Sequence, residues 1–341
     1  MQDLDSLLNT SLAEVADKAV VPDEGPVIYM GEPGSKLRLS NSTLGLFNSC
    51  ERKFQKARLL KNNKPRDESP AMTFGKGFGA AAQLYMILRT KGHSITESMD
   101  SAIWELFMQY QPFHMQDDRR FIERCIYTIQ AAQPFHERLL MEWEIAEFNG
   151  RFAAELSFRL DIDDFYYYVG YLDLVLRHKK SGRYAVADYK TTSLTAVDLS
   201  PYYKHSDQVL GYSIVLDKIA GSSQAEFDTN YWIAQLSSRS TAALYEPKFF
   251  DYTFPKTMKD RMEWFLKLYL DVNKMKSLQA LEIYPKRLAC TSYNKVCQYF
   301  NECQFSGLDQ PAIYEEDTIE YDFVYSLQEI FEEHHMRLIP A

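Results

Sequence analysis

Apolar residues recur along this chain with two different periods, and the switches between them divide it. Leu44, Phe47, Phe54 and Leu59 are spaced for a helix that Ser40 or Ser42 can cap. Phe74-Gly75-Lys76-Gly77-Phe78-Gly79 reads as a Gly-rich turn leading into a helical run over 80–89. Helical spacing continues over 94–147, with Pro112 and Pro134 as breaks. Past Asn149-Gly150 the period falls towards two. Residues 151–162 and 165–177 are rich in Phe, Tyr, Val and Leu, and Lys180-Ser181-Gly182 turns the chain into 183–191, which predicts three consecutive antiparallel strands.

Helical spacing returns over 201–220, with Val209, Tyr212, Val215 and Leu216 on one side. Strand-like segments follow at 226–236 and 243–254, then a helix over 256–276 with Met262, Phe265, Leu266 and Tyr269 at i, i+3, i+4 and i+7. The order predicts an α/β core, a mixed sheet flanked by helices, with a helical insertion at 77–147. Pro22, Gly25, Pro26, Gly31, Pro33 and Gly34 mark residues 1–35 as a mobile lead-in. The main domain is then expected over 36–305 and an acidic tail over 306–341.

Charge sharpens that division. With 341 residues, 46% hydrophobic and 25% charged, the composition is that of an ordinary globular protein, and the net charge of -9 excludes a uniformly basic nucleic-acid binder. The acidity is local: residues 306–341 hold nine acids against one arginine. Conversely, residues 36–66 carry nine Lys or Arg against the single acid Glu51. That stretch, with Arg52, Lys53, Lys56 and Arg58 at its centre, is expected to face nucleic-acid phosphates. No apolar run approaches the roughly 18–20 residues that span a bilayer, and the acidic start Met-Gln-Asp-Leu-Asp does not resemble a secretory signal, so a cytoplasmic protein is expected.

The densest chemistry lies in Val169-Gly170-Tyr171-Leu172-Asp173 and Val186-Ala187-Asp188-Tyr189-Lys190-Thr191. Side chains alternate along a strand, so Asp188 and Lys190 share one face and Tyr189 points to the other, with Asp173 on the preceding strand. Ionised groups in apolar strands are costly unless they pair or bind metal. Two carboxylates on a sheet suit Mg²⁺ or Mn²⁺, with the Tyr189 carbonyl as a further oxygen donor. Beside such a metal a lysine can hold or deprotonate an attacking water, and the parts fit phosphodiester hydrolysis. Alone, Asp-x-Lys is equally an ion pair at a hairpin edge.

Asp207-Gln208-Val209-Leu210-Gly211-Tyr212 changes that balance, because Gln208 and Tyr212 stand at i and i+4. Taken together, these segments resemble the PD-(D/E)XK nuclease superfamily and its iron–sulfur recombination-exonuclease branch, in the phage-type variant of the exonuclease domains found in CRISPR adaptation and in helicase–nucleases. The resemblance implies a restriction-endonuclease-like core in which Asp173 and Asp188 ligate the metal, Lys190 activates or orients water, and Gln208 and Tyr212 position the scissile strand. Glu155 matches an acidic position of the branch and equally reads as a solvated strand residue. The branch's metal-binding His after the Gly-rich segment is missing; Gln83 or a water would stand there.

Cys290, Cys297 and Cys303 fall within 14 residues, and Cys50 sits far upstream. One distant cysteine plus a trio is similar to the [4Fe–4S] arrangement of that branch, which implies a structural staple. A tetrahedral Zn²⁺ or unligated thiols are the alternatives, and Cys125 reads as core. The implied function is metal-dependent DNA exonuclease action in recombination, repair or phage replication, with DNA as substrate and a helicase or recombination protein as a partner. The alternative is a weak or inactive DNA-binding assembly subunit that keeps the fold.

Overall fold

The computed structural model describes residues 36–59, 69–110, 116–117, 119–194, 196–222, 226–236, 245–281, 283–287, 290–292, 295–301, 303 and 319–338. The expected lead-in at 1–35, Lys61, Lys64 and Arg66 of the basic stretch, and 306–318 of the expected tail lie outside them.

In chain order, strand β1 (Leu37–Leu39) precedes helices α1 (Asn41–Ser49) and α2 (Glu51–Phe54), the latter running on as a π-turn over Gln55–Leu59. Helices α3 (Pro70–Thr90), α4 (Ile95–Gln109), α5 (Ile122–Ala131) and α6 (Gln133–Glu142) follow. Then come strands β2 (Trp143–Ile145), β3 (Glu147–Phe148), β4 (Arg151–Phe152), β5 (Ala154–Asp161), β6 (Tyr166–His178) and β7 (Tyr184–Thr192). Helices α7 (Ala196–Lys204) and α8 (Asp207–Ala220) lead to β8 (Glu226–Gln235) and β9 (Lys248–Thr257). Helix α9 (Met258–Ala280), the short strands β10 (Thr291–Ser292) and β11 (Lys295–Val296), strand β12 (Phe323–Ser326) and helix α10 (Leu327–Leu338) complete the chain.

The chain divides into two compact units. One comprises Met1–Arg66, Ser157–Gly170 and Met258–Ala341; the other comprises Asp67–Leu156 and Tyr171–Thr257. In the second unit β2 and β7 each pair antiparallel with β6, β8 pairs parallel with β7, and β9 pairs antiparallel with β8. This is the expected mixed sheet. Phe74, Phe78 and Tyr85 of α3 and Leu106 of α4 are fully buried in one cluster with Leu174, Ala187 and Trp232 of the strands.

The Gly-rich run does not form a turn. Phe74–Gly79 lies inside the 21-residue helix α3, started by Ser69, whose side chain accepts from the Met72 amide, with Pro70 at its first position. The reason is packing: a Cβ on Gly77 would sit 2.9 Å from Cδ2 of the buried Tyr110 ring, and one on Gly75 3.4 Å from Thr191 Oγ1. Glycine here permits close approach rather than a left-handed turn.

In the first unit, β1 pairs parallel with the start of β6, and β12 pairs parallel with the end of β5. The residues expected to be an acidic tail are therefore partly structural. Asp322 accepts from the Ser157 amide and hydroxyl at 2.8 Å each, and the Phe331 ring meets Phe265 edge-on. Net charge hid the apolar side of α10, where Leu327, Ile330 and Phe331 are buried. No helix among the described residues is long and apolar enough to cross a membrane.

Candidate active site and cysteine cavity

The candidate active site grows from the place where β6 and β7 part. Their antiparallel ladder runs from Arg177–Tyr184 to Leu174–Ala187 and ends there. The next facing pair in that register is Asp173 and Asp188. Beyond the ladder the Tyr189 amide donates to Asp173 Oδ2 at 3.3 Å instead of to a backbone carbonyl. A strand residue's N–H and C=O point to the same side, which turns the Tyr189 carbonyl towards Asp173 as well.

Asp188 is 1% exposed, and Lys190 Nζ lies 2.6 Å from its Oδ2. From α8, Gln208 Nε2 donates to Asp188 Oδ1 and to the Tyr212 hydroxyl, both at 3.3 Å. Ser206 holds that helix start by accepting from the Gln208 amide. The sequence pairs Asp188 with Lys190 and Gln208 with Tyr212 are thus one hydrogen-bonded group. Tyr189 takes the opposite face: its hydroxyl meets His136 Nε2 at 3.0 Å, and its ring packs edge-on against Phe78 and Trp232. Burial lowers the His136 pKa to about 3, so this histidine is a neutral hydrogen-bonding brace.

Electrostatics follow from crowding. Burial first, and then the Asp188 carboxylate beside it, raise the Asp173 pKa well above its ordinary value, against the opposing pull of Lys190. Burial works against the charged Lys190, but Asp188 and Asp173 outweigh it and hold the ammonium above its ordinary pKa. Burial lifts the Tyr212 phenol to about 12. Lys190 is therefore a charged donor in this state.

Asp173, Glu155 and Tyr189 line a cavity of about 620 Å³ together with Lys76, Gln83 and Glu105. Gln83 Nε2 donates to Glu155 Oε1 at 2.7 Å, so this glutamine does stand beside the acidic group. Glu155 reaches the cavity from a left-handed backbone with φ 50°, a conformation costly for a residue with a Cβ. Lys76 and Glu105 were not singled out from the sequence. The signal was present: Lys76, Ala80, Gln83 and Ile87 fall at i, i+4, i+7 and i+11, one stripe of α3, hidden when 74–79 is read as a turn.

Cys50, Cys290, Cys297 and Cys303 line one small cavity in the other unit. Cys50 is extended, φ -168° and ψ 112°, between α1 and α2. The β10–β11 hairpin brings Cys290 and Cys297 together, with the Cys297 amide donating to the Cys290 carbonyl at 2.8 Å. The Cys303 amide donates to Tyr299 at 2.8 Å. Glu51 receives Arg287 through two 2.8 Å bonds and Lys274 at 2.6 Å, while Arg52 Nε donates to the Tyr284 carbonyl at 2.6 Å. These bonds fix the Cys50 segment to the chain just before Cys290. The fifth thiol, Cys125, is fully buried as expected of a core residue.

Of the four basic residues expected to face phosphates, Arg52 and Lys56 are buried and Lys53 and Arg58 are half-buried. Arg52 and Lys56 are 8% and 7% exposed, and Arg52, Lys53 and Lys56 line the cysteine cavity. Helix α2 and the π-turn that continues it, which follow Cys50 directly, carry these residues to the same cavity wall.

Among the described residues no three His, Cys, Asp or Glu side chains are gathered closely enough to close on a metal ion. The donor chemistry nonetheless fits in both places. Asp173, Glu155 and Glu105 put carboxylates on the wall of the first cavity, the donor type a hard cation requires. Thiols surround the second, and the buried Arg52 Nη1 beside them has no hydrogen-bond partner among the described residues.

Acidic residues at the fork of a mixed sheet, a lysine two residues after one of them and a glutamine–tyrosine pair on the next helix thus meet in one place. The chain matches the PD-(D/E)XK nuclease superfamily over residues 38–306 and belongs to it. A solved structure of a candidate exonuclease from Eubacterium rectale is similar at 13% identity, covering 76% of this chain and 89% of that one, with a TM-score of 0.41. No curated protein matches the sequence.

Proposed function

We propose that this nuclease-family protein is a divalent-metal-dependent DNA exonuclease that works in the cytoplasm in recombination, repair or phage replication, alongside a helicase or recombination protein. The observation that carries the reading is the meeting of Asp173, Asp188 and Lys190 where the β6–β7 ladder stops. Asp173 and Asp188 would hold Mg²⁺ or Mn²⁺, with the Tyr189 carbonyl and Glu155 as further oxygen donors. A cation bound there supplies Lewis acidity at the scissile phosphate. Lys190, kept charged by its carboxylate neighbours, orients the attacking water by hydrogen bonding and offsets the charge that develops on phosphorus-bound oxygen. Gln208 holds Asp188 and Tyr212 in register for the strand being cut. Water oxygen joins phosphorus as it loses a proton to solvent, the ester P–O bond breaks, and the leaving sugar oxygen takes up a proton from solvent.

Four cysteines around one cavity support a structural [4Fe–4S] cluster, with Zn²⁺ as the competing occupant. The cavity is about 20 Å³ as it stands, so the thiols would spread to admit a cluster.

The test is digestion of end-labelled linear and covalently closed circular DNA with Mg²⁺ or Mn²⁺, beside Asp188→Ala and Lys190→Ala. Linear DNA should be degraded from its ends, circles should survive, and both variants should lose roughly 100-fold or more in rate. Cleavage of circles would make the enzyme an endonuclease. Equal inertness of wild type and variants, with DNA still bound, would leave a non-catalytic assembly subunit.

A further inference from the structure

The wall of the cysteine cavity carries an unusual charge. Beside the four cysteines stand Arg52, Lys53, Lys56 and Lys286, and no carboxylate lines it among the described residues. Arg52 and Lys56 are buried, which long basic side chains rarely are without a counter-charge. Among the described residues, the acid adjoining Arg52 in sequence, Glu51, is already taken by Arg287 and Lys274. Arg52 spends its Nε on a carbonyl and leaves Nη1 buried without a hydrogen-bond partner among the described residues. Four neutral thiols offer nothing to balance these cations. Four thiolates around a metal centre do, because either a [4Fe–4S] core or Zn²⁺ leaves roughly two net negative charges on the ligated site.

We infer that Arg52, Lys53, Lys56 and Lys286 form a cationic shell that charge-balances a tetrathiolate metal centre, and so are not phosphate contacts. The inference rests on the metal-centre reading of the four cysteines. Its physical content is twofold. Nearby positive charge offsets the net negative charge of the ligated site and so tightens metal binding. For an iron–sulfur cluster it also stabilises the more negative reduced form and raises the reduction potential. These are positioning and electrostatic roles, distinct from ligation.

The experiment uses the full chain purified anaerobically, with Lys56→Gln, Lys286→Gln and the charge-keeping Lys56→Arg. Lys286 is exposed, so its substitution leaves the fold intact even where Lys56→Gln does not. Three quantities are read: metal retained under chelator challenge, reduction potential, and affinity for DNA. Wild type should hold about four irons per chain. Both Gln variants should lose metal roughly tenfold faster and shift to lower potential, Lys56→Arg should behave as wild type, and DNA affinity should stay unchanged. A colourless wild type with stoichiometric zinc overturns the cluster but not the shell, which zinc release from the same variants then decides. A metal-free wild type overturns both. Brown wild type with variants of unchanged metal retention and potential but weakened DNA binding overturns the shell alone and returns these residues to a DNA surface.

Discussion

Glu51→Gln is the substitution whose cost can be worked most directly. The Glu51 carboxylate is 1% exposed and receives Arg287 at 2.8 Å twice and Lys274 at 2.6 Å. The Arg287 hydrogen bonds, opposed by burial and joined by Lys274, lower its pKa from 4.5 to about 2. At about 1.4 kcal/mol per unit, a depression of that size corresponds to roughly 3 kcal/mol at neutral pH. Arg287 and Lys274 are 50% and 43% exposed, so solvent screening reduces this to about 1–2 kcal/mol. The folded pKa lies below the unfolded one. The contribution is therefore fully present above about pH 4.5 and is lost as pH falls through 2. Urea unfolding of wild type, Glu51→Gln, Arg287→Gln and the double variant should give a coupling of about 1 kcal/mol or more at pH 7, fading towards pH 2. A coupling near zero at pH 7, or one indifferent to pH, would refute the assignment of this carboxylate as a charged clamp.

Other expectations concern the second unit. Gln208→Ala removes the donor to both Asp188 and Tyr212, and should lower the cleavage rate roughly tenfold while the circular-dichroism spectrum stays that of wild type. Because the Asp173 pKa is raised, metal binding should expel its proton. Calorimetry in buffers of differing ionisation enthalpy should show proton release and an apparent affinity that rises with pH until Asp173 is ionised, and absence of proton exchange at every pH would count against Asp173 as a ligand. Gly77→Ala pushes a methyl against buried Tyr110 and should cost about 1–3 kcal/mol, whereas Gly79→Ala meets nothing within 4 Å and should be neutral or slightly stabilising; thermal melts distinguish them.

The strands, helices and acidic motifs were legible because their signals are local. Alternation over 165–177 and 183–191 fixes which side chains share a face, and so places Asp188 with Lys190 before any tertiary contact is known. What failed was information held by distant residues. Gly75 and Gly77 look like turn formers until Thr191 and Tyr110 are seen against them. Arg52 and Lys56 look solvated by charge alone, and their burial follows from a cavity assembled with residues some 230 positions further on. The acidic composition of residues 306–341 masked an apolar helix side of three residues, too short for a periodicity signal to outweigh nine acids. His136, the brace of Tyr189, carries no mark in the sequence at all.

Glu155 gives the candidate site a measurable asymmetry between durability and competence. Its left-handed backbone, φ 50°, is a conformation that glycine adopts freely and glutamate does not. Glu155→Gly should therefore yield a protein more stable by about 1 kcal/mol that has lost a carboxylate from the cavity shared with Asp173. A position where the commonest remedy for strain also erases the chemistry is one that selection for robustness alone would not have left as it is.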